Sequence, residues 1–274
     1  MAIKINASVG TLNSAAKTDK PRSGMTQNIA RLASGKRINQ AADNAAGLAI
    51  AVRFAAQIGG TEQSYRNIND GISLAQTGEA AMSEVNDQLQ RIRELATQSA
   101  NASLNDLDRA SLQIEVNSLQ DEIRRITSNT TFNGVSLLDQ QQGLEFQVGA
   151  NPGENISIDT PDLATHLDTL GLNSIDISAA DSARQALGVL DQSLTQLNRS
   201  RSEFGAIQNR FSAVAAAQLN LDQALTASRS RIEDADVAAE TAGLSRNLIL
   251  QQSETAMQAQ ANTARGLVLS LLKN

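Results

Sequence analysis

The chain has 274 residues, 41% of them hydrophobic but only 2% aromatic, with no Trp and no Cys. A formal charge of −6 argues against a nucleic-acid binder, which needs a basic surface to neutralise phosphates. The lack of Cys excludes disulfides, zinc–thiolate sites and thiol nucleophiles. A core of Ala, Leu, Ile and Val, with three prolines in all, suits long helices packed side by side rather than a globule anchored on aromatics.

The opening MAIKINASVGTLNSAAKTDK lacks the basic and apolar regions of a cleaved secretory signal. No apolar run is long enough to span a bilayer, so no membrane insertion is expected. Ile3, Ile5, Val9 and Leu12 form a weak stripe, interrupted by KTDKPRSG, where Pro21 and Gly24 predict a kink or break across 17–24. The pattern resumes with Ile29, Leu32 and Ala33 and stops around Ser34-Gly35-Lys36-Arg37. Asp43 or Asn44 can cap the next helix, AAGLAIAVRFAAQI, which Gly59-Gly60 is expected to end.

A long helix follows over Asn67–Asn101, its stripe carried by Ile68, Ile72, Ala75, Met82, Val85, Leu89, Ile92 and Ala96, with one step skipped at Gly78/Glu79. At 1.5 Å per residue it would be about 50 Å long and needs equally long partners. Asn105-Asp106 offers the cap of such a partner, whose Leu112, Val116, Leu119, Ile123 and Ile126 step by four and three, antiparallel to the first across a short loop. Asn133-Gly134 is a turn signal. Leu144, Phe146 and Val148, then Ile156 and Ile158, alternate on either side of GANPGE and predict a β-hairpin. Residues 159–178 are read as irregular, and helix returns from Ser182 for the rest of the chain.

The fold class expected is mainly α, with long antiparallel helices in a coiled-coil-like bundle, one small β-hairpin and paired terminal helices. Residues 1–42 with 235–274 are assigned to a terminal coiled-coil domain, and 43–234 to a helical bundle with the hairpin around 144–158. Both chain ends are apolar on one side and poor in bulky core residues, so each is a partner for the other or for a second subunit.

Little in the chain carries chemistry. Gly35-Lys36 is not a phosphate loop, because Arg37 stands where Ser or Thr is needed and Ala30 where the first glycine belongs. His166 is the only histidine, too few for an HExxH site, and its place in an irregular loop is that of a polar surface residue. The acidic residues are scattered on solvated faces. The chain is read as a non-enzyme without a cofactor or metal.

SGKRINQAADNAAGLAI, RNINDGISLAQTGEAAM, LQRIRELATQSAN, TTFNGVSLLD, FGAIQNRF, SRIEDADVAAE and ANTARGLVLSLL closely resemble successive signature segments of bacterial flagellin, in the family's order from about residue 25 to the C-terminus. The resemblance implies a structural subunit that self-assembles into the flagellar filament for motility, exported unfolded by the flagellum-specific type III route and working outside the cell. It assigns the terminal domain to the inner filament core, through Ile29, Leu32, Leu244, Leu248, Leu267 and Leu271. Only the stretch from Leu144 to Ser182 lies between the hairpin's onset and the returning helix, so the resemblance is to a short form without variable outer domains. By the same resemblance the partners are further copies of the chain, a flagellar export chaperone, hook-junction proteins and, in a host, Toll-like receptor 5. The alternatives are a flagellin-like surface protein that binds a polysaccharide or host ligand, and a hook-filament junction protein. Two places depart from the family's usual pattern, KTDKPRSG and Arg265-Gly266.

The far side of the long helix is the last expectation. At 100° per residue, Leu89, Ile92 and Ala96 face the core while Arg91 and Leu95 point away from it. The resemblance assigns subunit contact and receptor recognition to Gln90, Arg91, Glu94, Leu95 and, on the partner helix, Glu115.

Overall fold

The computed structural model describes the backbone of residues 9–273 and the side chains of residues 19–263. The chain divides into two compact units: Gln57–Gln223, and the chain on either side of it, up to Ala56 and from Ala224.

In the flanking unit, α1 (Val9–Ser34) packs on α6 (Val237–Lys273). The expected break at 17–24 does not occur: α1 runs through Pro21, which is buried. The ring costs one helical hydrogen bond and crowds one carbonyl, and packing of α1 on α6 outweighs that local cost. Asn44 caps α2 (Ala45–Ser99), its Oδ1 accepting from the Gly47 amide at 2.9 Å. Asp43 instead holds the preceding loop, accepting from the amides of Asn39 and Gln40, and those two bonds lower its pKa.

The second correction concerns Gly59-Gly60, where α2 continues without a break. Each glycine costs a helix only about 1 kcal/mol. Gly60 has a steric purpose as well, since a Cβ there would lie 2.8 Å from that of Ala150 in the hairpin turn. Within the unit Gln57–Gln223, α2 is antiparallel to α3 (Asp106–Asn129) and to α5 (Ala180–Glu233), with Arg91 meeting Glu115 and Arg93 meeting Asp191. Asn105 caps α3 by accepting from the Asp108 amide. The apolar stripes of all three helices meet in one buried cluster that includes Leu89, Ile92, Val116, Ile123, Leu190 and Leu197.

The predicted hairpin is present: β3 (Gly143–Gln147) pairs antiparallel with β4 (Asn155–Asp159), Leu144 opposite Ile158 and Phe146 opposite Ile156. A smaller hairpin precedes it, β1 (Thr131–Phe132) on β2 (Val135–Ser136). Its turn residues, Asn133 and Gly134, have φ of 50° and 82°, the left-handed pair that a two-residue hairpin turn requires. The stretch expected to be irregular contains α4 (Leu163–Thr169), capped by Asp162, and a 3-10 turn at Leu172–Ser174. Leu163, Leu167 and Leu172 are buried, and seven residues are too few to display a helical period in the sequence. The final helical region is likewise not continuous. It stops at Glu233 and restarts at Val237, where Asp236 accepts from the Ala238 and Ala239 amides.

Candidate interaction surfaces

The predicted recognition residues separate into two groups. Gln90, Arg91 and Glu94 are exposed on α2, and Glu115 is half-buried on α3. Arg91 Nη2 lies 2.8 Å from Glu115 Oε1, and its Nη1 lies 3.1 Å from Glu94 Oε2. The hydrogen bond to Glu115, then the one to Glu94, raises the guanidinium pKa, so this cation stays charged at any working pH. The result is a planar donor group fixed between two carboxylates on an exposed helix face, with Gln90 beside it.

Leu95 is not part of that face. It is 1% exposed and belongs to the buried cluster, so the expectation that it points outward is wrong. The reason is that α2 contacts two long helices. From Asn86 through Leu89 and Ile92 to Leu95, buried residues span about 180° of the helix, where a single partner would cover a stripe of about 100°. Ser99, also fully buried, lies in the same widened arc, and being polar it left no sign of this in the sequence.

Of the terminal residues, Ile29 is 49% and Leu248 42% exposed, while Leu32 and Leu244 are half-buried. Ile249 and Met257 are further apolar residues on the solvent side of α6. Leu267 and Leu271 fall in the last part of α6, outside the residues whose side chains are described. Between α1 and α6 lies a polar chain that sequence reasoning missed. Arg31 Nη1 contacts Glu240 Oε1 at 3.1 Å, Asn28 Nδ2 donates to Glu240 Oε2 at 2.6 Å, and Asn247 Nδ2 donates to Asn28 Oδ1 at 3.0 Å. Its only trace in the sequence is a pair of asparagines close to the apolar stripes.

At the junction of α1 with α2, Lys36 pairs with Asp234 in an antiparallel bridge, and its Nζ reaches the buried carboxylate of Glu233. The hydrogen bond from Lys36 is the main cause that lowers the Glu233 pKa, and Arg229 Nε at 2.8 Å adds to it. In the other unit, Arg109 is buried at the end of the α2–α3 loop, its guanidinium donating to the carbonyls of Ser99, Leu104 and Asn101. No described helix is long and apolar enough to cross a membrane.

Comparison with known proteins is consistent along the chain. Residues 5–143 match the bacterial flagellin N-terminal helical region, and residues 187–272 the C-terminal helical region. The flagellin of Bacillus subtilis strain 168 is 37% identical, across 99% of this chain and 100% of that protein. The flagellin of Halalkalibacterium halodurans is 43% identical, across 89% of this chain and 90% of its own length. The crystal structure of Bacillus cereus flagellin aligns with a TM-score of 0.51 at 31% identity, covering 56% of this chain and 88% of that one. A Vibrio parahaemolyticus protein described as flagellar hook-associated shares the fold alone, with a TM-score of 0.58 at 14% identity over 70% of this chain and all of that one. With both helical regions matched and whole-length relatives above 30% identity, the chain belongs to the bacterial flagellin family.

Proposed function

We infer that this chain is a structural subunit that self-assembles into the bacterial flagellar filament for motility and works outside the cell. The observation that carries the reading is the apolar surface left open on the paired helices α1 and α6, at Ile29, Leu248, Ile249 and Met257. Apolar side chains spaced along a helix pair call for cover from further helices, and copies of the same chain supply it. In the assembled subunit, residues 1–42 and 235–274 belong to the terminal, inner-core domain and 43–234 to the helical bundle with its hairpin, with no variable outer domain. Ile29, Leu32, Leu244 and Leu248 make the core contacts. Purified chain under polymerising conditions should give straight or helical filaments by electron microscopy. Discrete soluble oligomers at every concentration would sink the reading.

A second reading concerns the same protein as a monomer. The Arg91–Glu94–Glu115 cluster with Gln90 is the surface for Toll-like receptor 5 and for subunit contact, so the polymer hides what the monomer presents. An exposed ion pair contributes about 0–1 kcal/mol to stability. Arg91→Ala should therefore abolish receptor activation while leaving the unfolding midpoint nearly unchanged, and retained activation would remove Arg91 from the site. The flagellar export chaperone and hook-junction proteins are the remaining partners of this reading. A polysaccharide-binding role is not favoured, and the hook-associated likeness extends to the fold alone.

A further inference from the structure

The lysines of this chain are unevenly placed. The flanking unit holds all five, Lys4, Lys17, Lys20, Lys36 and Lys273, among thirteen cations and seven carboxylates. The unit Gln57–Gln223 holds ten arginines against twenty-two carboxylates, and no lysine. The chain as a whole does not avoid lysine; this unit does. Its arginines also stand where a cation serves the packing. Arg91 Nη2 ties α2 to Glu115 on α3 at 2.8 Å, and Arg93 Nε ties it to Asp191 on α5 at 2.7 Å. On α3, Arg124 meets Asp121 and reaches Asn173 of the 3-10 turn, while Arg125 meets Glu122. On α5, Arg184 meets Asp181 and Arg199 meets Glu203. Arg109 is the buried cation that serves three carbonyls.

We propose that the unit Gln57–Gln223 is built to keep its charge and its ion pairs in an alkaline medium, with arginine as its only basic aliphatic side chain. The inference rests on the filament reading only for placing the unit outside the cell, where the medium sets the pH. A lysine ammonium has a reference pKa of about 10.4, whereas a guanidinium stays charged above about pH 12. Apart from carboxylates and arginines, the unit's only titratable side chains are one imidazole and one phenol, His166 and Tyr65. Hydrogen bonds to Glu115, Asp191 and Glu122 are the main causes that raise Arg91, Arg93 and Arg125 further. Lysines at the ten positions would lose their charge in strong alkali. The excess of carboxylates would then grow from twelve to twenty-two, α2 would lose its ionic ties to α3 and α5, and self-repulsion would act against the compact state. At position 109 a lysine would fail sooner, since burial lowers the pKa of an ammonium group.

The test is thermal unfolding of the monomeric full chain, followed by circular dichroism from about pH 8 to about pH 11. The parent is compared with Arg93→Lys/Arg124→Lys/Arg125→Lys/Arg184→Lys/Arg199→Lys, five exposed positions that each face a carboxylate. Tyr65→Phe is carried in both chains, so that ionisation of the phenol plays no part. A lysine beside a carboxylate has a raised folded pKa, so its stabilisation is complete below the unfolded value and is lost as pH rises through the folded one. The two chains should therefore melt together at pH 8. By pH 11 the lysine chain should melt about 5 °C or more below the parent, whose melting temperature stays nearly level. Level profiles in both chains, or an equal fall in both, would overturn the proposal. Should the five-lysine chain lose helix content at pH 8, Arg93→Lys/Arg125→Lys asks the same question and is read by the same outcomes. A level parent and a falling lysine chain, with no filaments formed by the parent, would count against the filament reading and leave the charge assignment standing.

Discussion

Gly78 on α2 and Phe204 on α5 lie so close that a Cβ on the glycine would sit 2.6 Å from Phe204 Cε1. One heptad back along α2 and one forward along α5, Gly71 and Phe211 repeat the arrangement, and Phe146 from the hairpin meets Phe211 edge-on with centroids 5.7 Å apart. Glycine here makes room for an aromatic knob. Gly78→Ala gains about 1 kcal/mol of helix propensity but forces a buried ring to move, at about 1–3 kcal/mol, so a net loss of up to about 2 kcal/mol is expected. Gly59→Ala in the same helix meets nothing within 4 Å and should stabilise by up to about 1 kcal/mol. Urea unfolding of the two variants checks the opposite signs. Combining Gly78→Ala with Phe204→Leu should cost less than the sum of the two changes.

Leu95 belongs to the core and should behave as a core residue. Leu95→Ala is expected to destabilise by about 2–5 kcal/mol, in the range of Leu89→Ala. A change within about 0.5 kcal/mol, as for a surface position, would return Leu95 to the recognition face.

Arg109 closes the α2–α3 loop by serving three carbonyls at once. Arg109→Met leaves those oxygens without a donor and should cost about 2–4 kcal/mol. Arg109→Lys recovers only part, because an ammonium group cannot reproduce the planar fork. Hydrogen exchange should show the loss first at residues 99–105, and uniform exchange across the whole unit would contradict the local role.

Acid should act on the junction at Glu233. Its folded pKa is lowered, so the stabilisation is fully present above the ordinary carboxylate range and is lost as pH falls through the folded value. At neutral pH Glu233→Gln should be less stable than the parent. The gap should begin to close near the ordinary glutamate pKa of about 4.3 and shrink further below it. Thermal melts from neutral to acid pH measure this, and a constant gap would contradict it.

The stripes that define α2, α3 and α5, and the alternation in β3 and β4, were legible because burial imposes a period on the sequence. The skipped step at Gly78 was legible only as an interruption, since the sequence does not show that Phe204 fills it. Pro21 and Gly59-Gly60 misled for a related reason. They lower local helix propensity, whereas the packing that overrides propensity comes from residues distant in sequence. Leu95 was misplaced because a helix wheel with one partner gives too narrow a buried arc when there are two. In the candidate site, Arg91 and Glu115 were placed together by resemblance, and their ion pair became visible only with the helices side by side. Asn28 and Asn247 left no periodic mark at all.

The two irregular segments, after α1 and after α5, complete each other's backbone. Arg37 N and Ile38 N both donate to Glu233 O, and Ala235 N donates to Gly35 O. Neither interruption could be smoothed into helix alone, because doing so would strip the other of its hydrogen-bond partners. An insertion or deletion at one of these places therefore calls for a matching change some two hundred residues away, so the two sites are expected to vary together through descent as a single trait.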